Sequence, residues 1–155
     1  MIITFIGHSV ISNKDEVKIM IKKIVADNAS QDEPITCYLG GYGDFDEVCA
    51  QAVTELKKTH QDITRIYVTP YIGLREQEKI KDLQAQKLYD GYIYPPLENV
   101  PKRFAIVKRN EWMVSSADLI VSYVKRHGGN SYKALSIGKR KSKKIVNVCD
   151  FLPNG

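Results

Sequence analysis

The chain has 155 residues, a net charge of +5 at pH 7 and a sequence pI near 9.0. Its hydrophobic fraction of 43% and charged fraction of 26% lie near globular averages, which excludes a disordered, collagenous or disulfide-scaffold protein. The positive charge favours anionic partners, which include nucleotides, nucleic acid and acidic proteins.

Length and segment composition predict a single domain over residues 1–155, because a chain of this size suits one hydrophobic core. The longest apolar runs are much shorter than the roughly 20 residues that a membrane-spanning helix needs. The first residues lack the basic region and cleavage site of a signal peptide. We therefore expect a cytoplasmic protein without membrane insertion.

Cys37, Cys49 and Cys149 are widely spaced and are predicted to be reduced structural thiols, so no metal or cofactor is predicted.

Short apolar runs rich in β-branched and aromatic residues alternate along the chain with amphipathic helical patterns. The predicted strands are residues 2–6, 35–39, 65–69, 92–94, 119–123 and 145–148. The predicted helices are residues 15–28, 45–59, 74–89, 101–116 and 131–141. This alternation predicts right-handed crossovers and a mostly parallel sheet of about six strands. The fold class that follows is a three-layer, doubly wound, Rossmann-like α/β fold.

The loop after the first strand is the first candidate site, because ligands of such sheets bind beyond the carboxyl ends of the strands. Gly7 permits a sharp turn there, and His8 brings a polar ring to the edge of the sheet. Two interpretations of His8 stay open: a ligand contact, or a hydrogen-bonding residue of the turn itself.

A glycine-rich turn follows the second strand and includes Gly40, Gly41 and Gly43. Glycines at this place leave room for a ligand, and the following helix offers unpaired N–H groups and its positive dipole end to an anion. The strand-to-helix context favours a phosphate site over a turn that is merely tight.

Acidic residues in the same turn leave further interpretations open. Asp44 could be the N-cap of the helix, with Glu47 completing a capping box. Alternatively, Asp46 or Glu47 could direct a carboxylate at a ribose hydroxyl or a glycosidic bond.

The helix at 101–116 is predicted to bury Phe104 and Met113. Arg109 and Asn110 precede Met113 on this helix. They form either an exposed polar face or, with Arg109 as an anion clamp, part of a binding site, since a planar guanidinium matches phosphate geometry.

A second pair of glycines follows the fifth strand, in the segment Gly128, Gly129, Asn130 and Ser131. Its N–H groups could also bind an anion, and Asn130 or Ser131 could cap the next helix or contact the ligand. Two glycine-rich loops at one sheet edge support each other.

The basic run at 139–144 is interpreted as a solvated helix end, with a nucleic-acid patch as the alternative.

Four segments together resemble the YpsA-like family of bacterial proteins, namely residues 5–8, 40–46, 109–114 and 128–131. That family belongs to the SLOG superfamily of Rossmann-like domains, which also contains the DNA-processing protein DprA and the LOG phosphoribohydrolases. The resemblance implies a Rossmann-like domain that binds or senses a nucleotide or a nucleotide-derived small ligand. This is the leading functional prediction, and we also expect a homo-oligomer.

The resemblance implies two alternatives as well. Gly40, Gly41, Gly43 and Glu47 fit the spacing of a LOG motif whose glutamate serves catalysis. An N-glycosidase would use Glu47 or Asp46 to stabilise an oxocarbenium-like transition state. Kinship with DprA, together with the net charge, implies nucleic-acid binding as the second alternative.

Overall fold

Strands and helices alternate throughout the computed structural model, which describes residues 1–30, 32–60 and 62–152. The strands are β1 (Ile2–Gly7), β2 (Ile35–Leu39), β3 (Ile63–Val68), β4 (Gly91–Ile93), β5 (Leu119–Tyr123) and β6 (Lys144–Asn147). The helices are α1 (Lys14–Asn28), α2 (Asp44–Lys57), α3 (Leu74–Ala85), α4 (Ala105–Ser116) and α5 (Gly129–Arg140). Short 3-10 turns at Lys102–Phe104 and Val148–Phe151 precede α4 and follow β6.

The six strands form one parallel sheet in the order β4-β3-β2-β1-β5-β6. The chain moves outward from β1 to β4 and then returns to place β5 on the other side of β1. In this arrangement the strand order reverses between β1 and β5, where Gly7 pairs with Tyr123. A crevice opens at such a switch point beyond the carboxyl ends of the strands. The predicted Rossmann-like class is confirmed.

Helices cover both faces of the sheet and complete the three layers. On one face, Ile21 of α1 and Val48 of α2 belong to the same buried cluster as Phe5 of β1. On the other face, Met113 of α4 and Leu135 of α5 share a cluster with Ile120 and other strand residues. Each such side chain stabilises the fold by about 1.5–3 kcal/mol when it leaves water. The strand ends are thereby held as a fixed platform for the loops.

The start of α4 differs from the prediction. Residues 102–104 form a 3-10 turn, and α4 begins only at Ala105. Phe104, predicted to be buried, is 46% exposed, whereas Arg109 is only 2% exposed. Pro101 carries an extended ψ of 139°, and the tight turn that follows it leaves Phe104 at the surface.

Other boundaries shift for local reasons. β3 begins at Ile63, two residues earlier than predicted, because Ile63 and Thr64 pair with Ile35 and Thr36 of β2. α3 ends at Ala85, shortly before Lys87 adopts a left-handed φ of 57°. α5 begins at Gly129, two residues earlier than predicted.

α3 is the most polar helix, and of its residues only Glu76 and Ile80 are buried. Within the part of the chain that the structure describes, every helix is too short or too polar to cross a lipid bilayer.

Candidate ligand-binding cleft

A cleft of about 530 Å³ opens at the switch point between β1 and β5, a volume typical of small-molecule sites. The loops after β1, β2 and β5 and one side of α4 form its walls. The structure brings together most of the predicted site residues in it: Gly7, His8, Gly40, Asp46, Arg109, Asn110, Gly128, Gly129, Asn130 and Ser131.

Three predicted site residues lie outside this cleft. Gly41, Gly43 and Glu47 line a separate depression of about 370 Å³, together with Leu83 of α3. Glu47 is exposed, whereas the preceding residue, Asp46, is buried beside the cleft. Neighbouring helix positions point about 100° apart, so the two carboxylates face different surroundings.

His8 joins three segments of the cleft. Its Nε2 accepts a hydrogen bond from the N–H of Lys125 at 2.9 Å, so the proton of the neutral ring is on Nδ1. Nδ1 lies 3.2 Å from Ser131 Oγ and donates to it. Burial lowers the pKa of His8, and the charges of Arg126 and Lys125 lower it further. The ring is therefore a neutral connector at pH 7, and the Ser131 hydroxyl hydrogen is free to donate elsewhere.

The N-terminus of α2 is occupied by the chain itself. The N–H of Asp44 donates to Ser9 O at 2.7 Å, and Asp44 Oδ2 accepts from the N–H of Ile11 at 3.1 Å. The capping-box interpretation is wrong: Gly43 is the N-cap, and no side chain of the described residues caps the helix. Three carboxylates in the first turn also oppose an incoming anion electrostatically.

Contacts within the chain explain the glycines of the second loop. Gly41 has a φ of 68°, and a Cβ there would lie 2.5 Å from Tyr67 Cε1. Gly43 has a φ of 92°, and a Cβ there would lie 2.6 Å from the Cα of Ser9. Both positions therefore need glycine without any ligand being present.

Asp46 and Arg109 form the buried polar wall of the cleft. Arg109 Nη1 donates to Gly40 O at 2.8 Å and to Val68 O at 2.7 Å, joining the ends of β2 and β3. Its Nε donates to Asn110 Oδ1, which leaves Nη2 without a hydrogen bond to any described residue.

Burial raises the pKa of Asp46 to about 6, although the charge of Arg109 and the N–H of Tyr42 partly offset this rise. The N–H of Tyr42 donates to Asp46 Oδ2 at 2.9 Å. A carboxyl group that titrates near neutral pH is suited to proton transfer. Arg109 remains cationic, although burial lowers its pKa.

The N-terminus of α5 offers the opposite environment to that of α2. Gly128 and Gly129 have φ values of 86° and 83°, and apart from the chain neighbours no atom of the described residues lies within 4 Å of a Cβ built on either. The first turn of α5 contains no acidic residue. Asn130 and the preceding Arg126 line the same cleft. Residues 128–130 are exposed, so this is an open helix N-terminus.

Sequence reasoning missed Tyr42, Arg126 and His127 as lining residues. All three are neighbours of predicted site residues in the sequence: Tyr42 lies inside the glycine turn, and Arg126 and His127 directly precede Gly128. The buried Glu76 was also missed, because it belongs to the most polar helix. Nothing in a polar helical pattern distinguishes one buried carboxylate from its exposed neighbours.

The cysteines supply neither a nucleophile nor a ligand to the cleft. Burial raises the pKa of Cys37 to about 12 and also raises that of Cys49. A thiol that keeps its proton at neutral pH is a poor nucleophile and a poor metal ligand. Among residues 1–30, 32–60 and 62–152, no group of three or more His, Cys, Asp or Glu side chains is placed to hold a metal ion.

Comparisons with known proteins extend the fold assignment. No protein-family model matches the chain, and no curated protein matches it in sequence. One solved structure that matches is DNA processing protein A from Helicobacter pylori, reported for its single-stranded DNA binding mode, with 12% identity and a TM-score of 0.57. Another is the molybdenum cofactor carrier protein from Chlamydomonas reinhardtii, with 14% identity and a TM-score of 0.54.

The two matches cover 94% and 93% of this chain. They cover 63% of the DNA processing protein and 73% of the cofactor carrier, so the chain spans less than two thirds of the former. At these identities the likeness concerns the fold alone. The chain shares the Rossmann-like fold of these two proteins, whereas membership of the SLOG superfamily and of the YpsA-like family stays a prediction.

Proposed function

We propose that this protein binds a nucleotide or nucleotide-derived small ligand in the cleft between β1 and β5. The observation that carries the proposal is the open N-terminus of α5, where Gly128 and Gly129 are exposed and the first turn of the helix contains no acidic residue. A phosphate group would accept hydrogen bonds from the N–H groups of this turn. Arg126 and the Nη2 of Arg109 would add positive charge from the cleft walls.

The remaining walls suit the sugar of such a ligand. Asp46 and Asn110 present carboxylate and amide groups that could pair with ribose hydroxyls, and both line the cleft. Ser131 has a hydroxyl hydrogen that His8 leaves free. A ligand with both phosphate and ribose therefore matches the cleft better than inorganic phosphate alone.

Titration calorimetry with AMP and with inorganic phosphate tests the proposal. Asn130→Asp changes an amide to a carboxylate of the same shape in the first turn of α5, so it should favour the helix while repelling phosphate. We expect it to weaken AMP binding by roughly tenfold, or about 1.4 kcal/mol. Asn13→Asp places the same charge at the start of α1, outside the cleft, and should leave AMP binding unchanged. Absence of binding at millimolar concentration by AMP, other mononucleotides, ADP-ribose and dinucleotides would refute the proposal.

A hydrolase is the second candidate, and the raised pKa of Asp46 is the observation that favours it. In that case Asp46, not Glu47, would stabilise the ribosyl cation or transfer the proton during cleavage of an N-glycosidic bond, because Glu47 lies outside the cleft. The assay is release of free adenine from AMP. Asp46→Asn should abolish the release and Glu47→Gln should preserve it; the reverse pattern would exclude this assignment.

Further parts of the proposal rest on the sequence. The four segments that resemble the YpsA-like family support the proposal that the chain belongs to that family. We also propose that the protein is cytoplasmic and homo-oligomeric. Sedimentation velocity at micromolar concentration tests the oligomeric state, because a single monomeric species would contradict the proposed homo-oligomer. Binding of single-stranded DNA is the third candidate, supported by the fold shared with DNA processing protein A and by the charge of +5.

A further inference from the structure

A second cleft of about 520 Å³ lies beside the first, beyond the ends of β3 and β4. The loop after β3, the segment after β4 and the first residues of α3 and α4 form its walls. The side chain of Tyr42 lines this cleft as well as the first one. The two clefts therefore meet at one aromatic residue.

Tyr42 is held firmly in this shared position. Its hydroxyl donates to Glu76 Oε2 at 3.2 Å, and Lys79 Nζ lies 3.2 Å from the centroid of its ring. Lys79 Nζ also donates to Gly41 O at 2.9 Å, and the hydroxyl of Tyr67 donates to Glu76. Because α3 fixes both the ring and the adjacent turn, Tyr42 is a preorganised wall that loses little entropy when a ligand contacts it.

The chemistry of the second cleft differs from that of the first. Tyr71, Val100 and the 62% exposed Ile72 give it an apolar surface, on which a planar ring would bury area. Lys102 Nζ lies 5.6 Å from the centroid of Tyr71. The charged lining residues are two cations and two carboxylates, namely Arg75, Lys102, Glu76 and Glu98. Apolar and aromatic walls with balanced charges suit an uncharged aromatic base rather than a phosphate.

We propose that one extended ligand, a dinucleotide, occupies both clefts. Its diphosphate lies at the N-terminus of α5 with one nucleoside in the first cleft, and its second base passes Tyr42 to rest against Tyr71. This inference rests on the proposed nucleotide-binding function and specifies its ligand class. Each cleft has the volume of a small-molecule pocket, so a mononucleotide would fill only one of them.

Titration calorimetry with three probes tests the inference: AMP, ADP-ribose and diadenosine diphosphate, of which only the last carries a second base. We expect diadenosine diphosphate to bind about tenfold more tightly than ADP-ribose, the usual contribution of one base stacked on an aromatic side chain. Tyr71→Ala should remove this difference and leave AMP binding unchanged. The hydrogen bonds of Tyr71 use its backbone, so the variant keeps them. Tyr92→Ala, which removes a 53% exposed ring outside both clefts, should preserve the difference.

The possible outcomes separate the two proposals. If AMP binds but diadenosine diphosphate binds no more tightly than ADP-ribose, the inference fails and the proposed function stands. The inference also fails if Tyr71→Ala leaves the difference intact. If none of the three probes binds at millimolar concentration, the proposed function fails and takes the inference with it.

Discussion

His8 uses its two ring nitrogens in opposite roles, and this links the loop after β1 to the loop after β5 and to the first turn of α5. Nε2 accepts from the backbone of Lys125, and Nδ1 donates to the first turn of α5 through Ser131. Protonation would turn Nε2 into a donor facing another donor. The cleft therefore requires a neutral His8 ring. Within the chain, His8 acts as a hydrogen-bonding residue of the turn.

The lowered pKa of His8 has a consequence for stability. The folded-state pKa lies below the value of 6.5 for an unfolded histidine, so the unfolded chain binds the proton more readily. The stabilisation is complete above pH 6.5 and is lost as the pH falls through the folded-state pKa. We expect the wild-type free energy of unfolding, measured in denaturant between pH 7.5 and pH 5, to decrease more than that of His8→Gln.

The comparison with His8→Gln removes other titrating groups from the measurement, including Asp46, whose raised pKa acts in the opposite direction. His127→Gln is the control, because His127 is exposed and makes a ring contact only with Tyr132 among the described residues. If the unfolding free energies of wild type and His8→Gln change with pH in parallel, protonation of the His8 ring does not cause the loss of stability.

At the scale of elements, α2 and α5 begin in the same way but serve different purposes. Gly43 (φ 92°, ψ 177°) and Gly128 (φ 86°, ψ 165°) are both N-caps in a backbone region that is almost exclusive to glycine. Gly43 packs on the backbone of Ser9, whereas Gly128 borders open space. The first turn is filled by the chain itself, whereas the second is open, as the proposed phosphate site requires.

Alanine at these two positions should separate packing from binding. In both variants, alanine at a positive φ should strain the backbone by about 1–3 kcal/mol. In Gly43→Ala, the overlap of the new Cβ with Ser9 should lower the unfolding free energy by a further ~1–3 kcal/mol. Gly128→Ala should be the milder change in stability and the more damaging one for AMP affinity. Urea denaturation and calorimetry on the two variants provide the check, and equal losses of stability would contradict the packing argument.

The sequence could predict the elements and the sheet edge because both depend on local patterns. Apolar β-branched runs identified all six strands, and the loop positions followed from parallel wiring. It could not distinguish the two glycine turns, since Ser9 and Tyr67, which fill the first one, are remote in sequence. The burial of Arg109 likewise depends on carbonyl groups of Gly40 and Val68, which only the folded sheet places beside α4.

At the scale of the whole molecule, α5 separates two positively charged regions. Its N-terminus opens the cleft, and its C-terminus carries Lys139 and Arg140 toward the opposite edge of the sheet. A helix of 12 residues is about 18 Å long, so one phosphate cannot contact both ends. Lys143 turns inward to donate to Ser115 O, whereas Lys141 and Lys144 are exposed.

This separation predicts that single-stranded DNA and AMP bind at different places. With a net charge of +5, we expect weak DNA binding whose affinity decreases steeply as salt rises. The double substitution Lys141→Ala and Lys144→Ala should lower the slope of log affinity against log salt by roughly 1.4, which corresponds to two lost phosphate contacts. The same variant should bind AMP like the wild type, while Asn130→Asp should weaken AMP binding and barely affect DNA. Fluorescence anisotropy with a labelled oligonucleotide measures the slope; displacement of the oligonucleotide by saturating AMP would instead mean that DNA passes through the cleft.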